Sequence, residues 1–257
     1  MADGRVAVKV WDGWIRLVHW GIVALFAFSW WSAWTYRMDW HLRSGLAMLA
    51  LLLFRLAWGV LGSETARFTR FLRSPLAALR HLSHLGRREA DMEVGHNAAG
   101  GWMVLAMLLL LLVQVGTGLM ADDQVLTHGP LAPHVAPETS DLATAIHATN
   151  FWLILVLAGL HVLAVFAYAL LKGQDLVRPM VTGVKRLPAA MAGRAPRLGS
   201  PALGAVLLAA AAVAAWWIGR LGDSEIPWRA YRGIGGAAAA ARINFVPLSC
   251  PPGEAAL

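Results

Sequence analysis

Residues 144–171 read TAIHATNFWLILVLAGLHVLAVFAYALL, a long apolar run that carries His147 and His161. The two histidines are fourteen positions apart. At about 100° per residue in a helix, the second side chain returns to within about 40° of the first, so both point from one helix face. At a rise of about 1.5 Å per residue they lie roughly 21 Å apart along the axis. Two imidazoles stacked in this way in a bilayer-length helix predict two stacked haems, each needing a second ligand from another helix.

The composition of the chain is that of an integral membrane protein. Its 257 residues are 58% hydrophobic and 14% charged, with a mean hydropathy of +0.56, values that an ordinary soluble domain does not have. The first apolar run is Trp-rich, carries His19 and lacks a small-residue cleavage site, so we expect a retained helix and not a signal peptide. The sequence predicts an all-α integral membrane protein. The runs long enough to cross a bilayer lie at 14–34, 42–61, 98–120, 146–171 and 201–219.

Other features of the composition exclude several classes of site. Cys250 is the single cysteine, which excludes an internal disulfide and a CxxC metal site, and no CxxCH motif for covalent haem attachment is present. The pI is near 10.5, but the basic residues flank the membrane runs, so we expect no nucleic-acid partner.

The sequence predicts a four-helix membrane domain over 1–197 and an additional transmembrane helix with a periplasmic tail over 198–257. The alanine-rich fifth helix is expected to dock against a neighbouring helix.

Lysine and arginine are unevenly distributed among the loops. They are concentrated in the N-terminal flank, in the loop between the second and third helices, and after the fourth helix. By contrast, the loop 121–141 has four acidic residues and neither lysine nor arginine. By the positive-inside rule, we expect a multi-pass protein with its N-terminus in the cytoplasm and the acidic loop outside.

Membrane depth sorts the histidines into pairs. His19 lies near the cytoplasmic end of the first helix, and His41 lies at the outer start of the second. Because the fourth helix runs inward, His147 is near the outer surface and His161 is deeper. Matching depths therefore pair His19 with His161 and His41 with His147. Zinc and copper sites bring three or four ligands to one point, whereas two separated pairs suit two haems that each have an axial histidine on both faces.

Three further residues extend this prediction. Gly45 lies one turn after His41 and leaves room for a large flat cofactor. Arg55 lies fourteen residues after His41, so it shares that helix face one haem spacing deeper. Its guanidinium either pairs with a propionate of the inner haem or extends to the headgroups. His96, just before the third helix, binds a propionate or a quinone carbonyl, transfers a proton, or is an ordinary loop residue.

A set of segments in fixed order covers about residues 8–186. They are VWDGWIRLVHW, LLLFRLAWGVLG, ARFTRFLRSP, GHNAAGGWMVLAMLLLLL, GLMADDQ, TAIHATNFWLILVLAGLHV and DLVRPMVTGVKR. Through them the chain resembles the bacterial cytochrome b561-type proteins, and more closely the branch of cytochrome b subunits of nickel–iron hydrogenases and formate dehydrogenases. The fifth helix and tail (198–257) fall outside the family pattern.

The resemblance implies a four-helix bundle in the bacterial inner membrane with two haem b groups. It also implies electron exchange between the quinone pool and a partner redox protein, either a periplasmic cytochrome c or a hydrogenase or dehydrogenase subunit. The short outer loop favours a small partner such as cytochrome c. The ligands that it implies are those selected by depth: His19, His41, His147 and His161.

Two other functions remain open at the level of sequence, besides a purely structural anchor, which would leave the four histidines unexplained. The first is a stand-alone quinone-linked oxidoreductase that acts on a small oxidant such as superoxide, with Arg37 and Arg43 attracting the anion near the outer haem. The second is a haem-free transition-metal transporter, which requires intramembrane histidines that converge on one point.

Overall fold

A computed structural model describes residues 5–83, 92–125 and 127–222. Its two strands are β1 (Arg5–Lys9) and β2 (Val184–Pro188), and short 3-10 turns lie at Glu64–Ala66, Ala132–His134 and Ala189–Arg194. The helices are α1 (Gly13–Trp34), α2 (Met38–Leu61), α3 (Phe68–Phe71), α4 (Pro75–Ser83), α5 (Ala98–Met120), α6 (Pro137–Ala167), α7 (Val177–Thr182) and α8 (Pro201–Leu221). A π turn, Tyr168–Lys172, continues α6.

Five of these helices are long and apolar enough to cross a membrane: α1, α2, α5, α6 with its π turn, and α8. The predicted all-α membrane fold is therefore confirmed. The largest difference is at α6, which begins at Pro137, nine residues before the predicted start. Proline and Glu138 suit a first helical turn. With its π turn α6 has 36 residues, far more than the roughly 20 that a bilayer needs, so its polar first turns need not lie in lipid.

Helix α2 lies at the centre of the bundle. It packs against α1, α5 and α8, while α5 packs against α6. Trp58, Phe54 and Leu52 of α2 are fully buried, and they belong to the two apolar clusters that form the core. The helices that carry the four paired histidines are therefore held together around α2.

Helix α8 docks against the bundle, as its composition predicts. A Cβ atom added at Gly204 would overlap Trp14 Nε1, and one added at Gly219 would lie 2.7 Å from a Leu46 methyl group. Ala211 and Ala215 are buried on the same helix. The small side chains of α8 therefore allow its backbone to approach the aromatic and aliphatic side chains of α1 and α2.

An antiparallel β1–β2 pair is the feature of the fold that the sequence prediction missed. Arg5 pairs with Pro188, and the register runs to Lys9 opposite Val184. Each strand has only five residues, and an isolated five-residue run carries a weak strand signal.

The predicted domain boundary at 197/198 stays a prediction. The predicted tail beyond residue 222, including Cys250, lies outside the described residues.

Candidate functional site

The structure brings the four intramembrane histidines together as two pairs. The ring centroids of His19 and His161 are 6.4 Å apart, and those of His41 and His147 are 6.0 Å apart. These are the pairs that membrane depth predicts. Helix α6 contributes one histidine to each pair, His147 in its first half and His161 further along. Helix α1 contributes His19, and helix α2 contributes His41.

The separation within each pair fits two axial ligands of one haem. A metal–imidazole bond is about 2 Å long, and the ring centroid lies about 1 Å beyond the ligating nitrogen, so two axial imidazoles place their centroids about 6 Å apart. Two imidazoles joined by a direct hydrogen bond of about 2.9 Å would have centroids about 5 Å apart. Both observed separations match the first arrangement.

Hydrogen bonds set the orientation of His41 and His147, which are named the outer pair after the predicted topology, with His19 and His161 as the inner pair. His41 Nδ1 is 3.0 Å from the carbonyl oxygen of Ser29, and His147 Nδ1 is 2.8 Å from that of Gln114. Because a carbonyl oxygen only accepts, each Nδ1 carries the proton and donates it. The lone pair of each Nε2 is then left for a metal, which is the arrangement that metal-ligating histidines adopt.

A large cavity adjoins the outer pair. Its volume is about 1030 Å³, and His41, His147, Trp30 and Phe151 are among the residues that line it. This volume is at the upper end of the range for pockets that hold cofactors and other organic ligands. His128 also lines the cavity, although nothing in its sequence context distinguishes it from a loop histidine.

Glycines shape the wall of this cavity. A Cβ atom at Gly118 of α5 would lie 2.8 Å from His147 Cε1 and 3.0 Å from its Nδ1. A side chain there would therefore displace the imidazole. The predicted Gly45 also lines the cavity, and a Cβ atom there would meet nothing within 4 Å. Gly118 is thus the closer neighbour of a paired histidine, and the sequence prediction missed it.

An amide pair fixes α5 against α6 beside His147. Gln114 Nε2 donates to the carbonyl oxygen of His147 over 3.1 Å. Asn150 Nδ2 donates to Gln114 Oε1 over 2.8 Å and to the Leu110 carbonyl over 2.9 Å. Asn150 is buried. Amides at membrane depth are costly unless they are paired, so the presence of Gln and Asn in these apolar helices was the sequence signal for this contact.

Within the described part of the chain, buried nitrogen atoms without a hydrogen-bond partner occur at His19 of the inner pair and at Arg55. His19 Nδ1 and Arg55 Nη1 are buried, and neither has a hydrogen-bond partner among the described residues. Arg55 is 5% exposed, and its guanidinium carbon lies 4.9 Å from the centroid of the Phe68 ring. The guanidinium therefore does not extend to the protein surface. A buried donor without an acceptor costs about 1–3 kcal/mol, and more when it is charged, so this site fits an anionic group such as a haem propionate.

His96 lies close to this inner site. Its ring centroid is 4.6 Å from that of Trp11 and 5.1 Å from that of Phe71, and the Arg55 guanidinium carbon is 5.9 Å from the same Phe71 ring. His96 Nδ1 is buried without a partner among the described residues. Burial, followed by the charges of Arg55 and Lys185, lowers the pKa of His96 to about 3. The ring is therefore neutral near pH 7 and offers a neutral hydrogen bond.

The remaining histidines have separate surroundings. His81 Nε2 is 2.7 Å from the hydroxyl of Tyr168, and His134 Nε2 is 3.2 Å from the Leu221 carbonyl. His84, also predicted to be a loop residue, lies outside the described residues. Within the described ranges, no three or more histidine, cysteine or acidic side chains converge on one point.

Comparison with known proteins identifies the family. Comparisons with curated proteins and with solved structures gave no match. The family model described as prokaryotic cytochrome b561 matches residues 10–183. This stretch contains all four paired histidines, and it ends next to β2. The finer resemblance to hydrogenase and formate dehydrogenase subunits stays a prediction. Because the match covers more than half of the chain, the protein belongs to the prokaryotic cytochrome b561 family.

Proposed function

We propose that this protein is a di-haem cytochrome b that transfers electrons across the bacterial inner membrane, between the quinone pool and a partner redox protein. Family membership establishes a membrane cytochrome of the b type that transfers electrons. The observation that carries the proposal of two haems is the presence of two histidine pairs with centroids 6.4 and 6.0 Å apart. Two pairs also argue against a transporter, which requires a single converging cluster.

The protein holds and tunes the cofactors in this proposal. A bis-histidine haem b supplies one-electron redox chemistry at its iron. His41 and His147 would hold the outer haem, and their Nδ1–H bonds to backbone carbonyls keep both Nε2 atoms available as ligands. His19 and His161 would hold the inner haem. Arg55 provides the charge that offsets an inner propionate in an apolar environment.

Quinone exchange is proposed at the inner site, beside His96. A quinone carbonyl accepts a hydrogen bond, and a quinol hydroxyl donates one. A neutral imidazole can do either, according to its tautomer. The rings of Trp11 and Phe71 provide apolar surface at the same position. These features support a site for a flat, weakly polar molecule such as a quinone. Arg55 has a different proposed role, which is to offset the charge of a haem propionate.

The partner protein is proposed to bind at the opposite end of the bundle. The connection between α5 and α6 is short, and it carries Asp122 and Asp123 with no lysine or arginine over 121–141. Such a surface suits a small, basic partner, because complementary charge speeds association. We therefore propose a soluble cytochrome c, and the alternative is a hydrogenase or dehydrogenase subunit.

The first test is a reduced-minus-oxidised optical spectrum of the purified protein, with haem counted per chain as the pyridine complex. Two b-type haems with a low-spin spectrum are expected. A colourless protein, even when haem is supplied during expression, would overturn the proposal. Addition of superoxide without any partner protein tests the alternative function as a stand-alone oxidoreductase. Steady turnover of superoxide under those conditions would favour that function over electron transfer to a partner.

Gly118→Ala is expected to impair binding of the outer haem. The new methyl group would lie within 3.0 Å of two atoms of the His147 ring, so the imidazole must move from its position. We expect a fraction of the protein to lose one of its two haems. The pyridine assay measures this loss, and electron paramagnetic resonance shows whether the remaining haem is low-spin.

Gly116→Ala is the matched control for this variant. Gly116 lies on the same helix, and a Cβ atom there would meet nothing within 4 Å. Both substitutions gain the same helix propensity, about 1 kcal/mol, so the difference between them isolates the contact with His147. Equal haem content in the two variants would argue against a role for Gly118.

His96→Phe is expected to weaken quinol oxidation and to leave both haems in place. The phenyl ring preserves the packing against Trp11, while the hydrogen bond, worth about 1 kcal/mol, is lost. We expect the KM for a short-chain quinol to rise roughly fivefold. The measurement is the rate of haem reduction by quinol. Reduction by dithionite is the control for haem integrity, and an unchanged KM would place quinone elsewhere.

A further inference from the structure

A second cavity lies where the end of α6 meets the β1–β2 pair. Its volume is about 220 Å³, enough for a phosphate group and several waters. It is formed by the π turn after α6, the segment that leads into α7, and both strands. The apolar, membrane-length helix formed by α6 and its π turn ends at Lys172, so we expect this cavity at the membrane boundary. None of the four paired histidines lines it.

The cavity is strongly cationic. Five basic side chains line it: Arg5, Lys172, Arg178, Lys185 and Arg186. Asp175 is the acidic residue among the described residues that line it, and its Oδ1 already accepts the backbone N–H groups of Val177 and Arg178. One basic group is also partly engaged, since Lys185 Nζ donates to the Glu93 carbonyl over 2.7 Å. The excess positive charge favours an anion.

Lys172 is the informative member of this set. It is 7% exposed, and no carboxylate among the described residues pairs with its ammonium group. Its Nζ lies 5.7 Å from the centroid of the Tyr168 ring, which itself is 5% exposed. Lysine is rarely this buried without a paired charge. An anion in the adjoining cavity would supply the missing counter-charge.

We propose that this cavity binds the phosphate group of an anionic phospholipid. The cations provide the headgroup site, as basic pockets at membrane boundaries do. Apolar side chains on the same segments, including Leu170, Val177 and Val181, are more than half exposed. They provide the surface for acyl chains that a free phosphate ion does not need. The lipid would therefore bridge the end of α6 to the β1–β2 pair.

The test is binding of phosphatidylglycerol to the delipidated, haem-loaded protein in detergent, measured by native mass spectrometry, with phosphatidylcholine as the zwitterionic comparison. One phosphatidylglycerol per chain is expected, bound at least tenfold more tightly than phosphatidylcholine. The double variant Arg178→Gln/Arg186→Gln is expected to weaken this binding about tenfold or more. Lys172→Gln tests the buried cation separately, and haem content is measured on every sample as a check on folding.

The matched control is Arg80→Gln/Arg194→Gln, which removes the same charge from exposed positions that do not line the cavity. It is expected to bind phosphatidylglycerol as the unmodified protein does. Inorganic phosphate that displaces the lipid at micromolar concentration would assign the same cations to a free anion. Equal binding of the two lipids, or equal loss in the cavity and control variants, would overturn the proposal. Neither outcome bears on the haem sites.

Discussion

His161→Ala is expected to lower the haem content from two per chain to one. The substitution removes one proposed ligand of the inner pair, whose ring centroids are 6.4 Å apart, and a haem b without covalent attachment depends on its axial ligands and its pocket. The two histidines of the outer pair share only helix α6 with the two of the inner pair, and their hydrogen bonds to Ser29 and Gln114 do not involve His161. Haem per chain, measured as the pyridine complex, checks the result.

His41→Ala is the reciprocal variant, and it is expected to remove the outer haem alone. His134→Ala is the control, since this histidine lies in a 3-10 turn and is in neither pair. It is expected to retain both haems. If His161→Ala retains two low-spin haems, or if a folded protein loses both, the proposed pairing is wrong.

Arg55→Met is expected to change stability in opposite directions in the haem-loaded and haem-free protein. In the haem-loaded protein, the substitution would leave the proposed propionate partner buried without its cation, and breaking such a pair costs roughly 3–5 kcal/mol. In the haem-free protein, the buried guanidinium has an Nη1 without an acceptor, so its replacement by an apolar side chain of similar length removes a cost. Thermal unfolding in detergent, with and without haem, measures both changes.

Arg43→Met is the matched control on the same helix. Arg43 is exposed, and its guanidinium carbon lies 5.4 Å from the centroid of the Trp40 ring, so we expect a small change of the same sign in both forms. A surface substitution of this kind usually changes stability by less than about 0.5 kcal/mol. If Arg55→Met lowers the unfolding temperature equally in both forms, Arg55 is a structural residue and not a propionate partner.

The transmembrane helices were predictable because the bilayer sets the length of an apolar run. The predicted third helix, 98–120, coincides with α5, and the predicted first helix differs from α1 by one residue. The pairing of His19 with His161 followed from helix rise and alternating direction alone. The depth of a residue in the membrane depends on its position along its helix and on the direction of that helix, and both can be read from the sequence.

Contacts across helices were less predictable, because they depend on helix rotation and on the register of one helix against another. Gly118 lies against His147 only because α5 and α6 meet at that turn. The sequence offered Gln114 and Asn150 as polar residues in apolar helices, but not that they bond to each other. For the same reason, the closeness of His96 to Phe71 and Trp11 emerged only from the fold.

The β1–β2 pair has a consequence for how the chain is threaded. Hydrogen-bonded strands must lie on the same face of the membrane, so the chain between Lys9 and Val184 crosses an even number of times. The four long apolar helices in this interval, α1, α2, α5 and α6, satisfy that parity. During synthesis, β1 cannot pair until α6 and β2 have been made. If one of the four helices fails to insert, the two strands lie on opposite faces of the membrane and cannot form their hydrogen bonds.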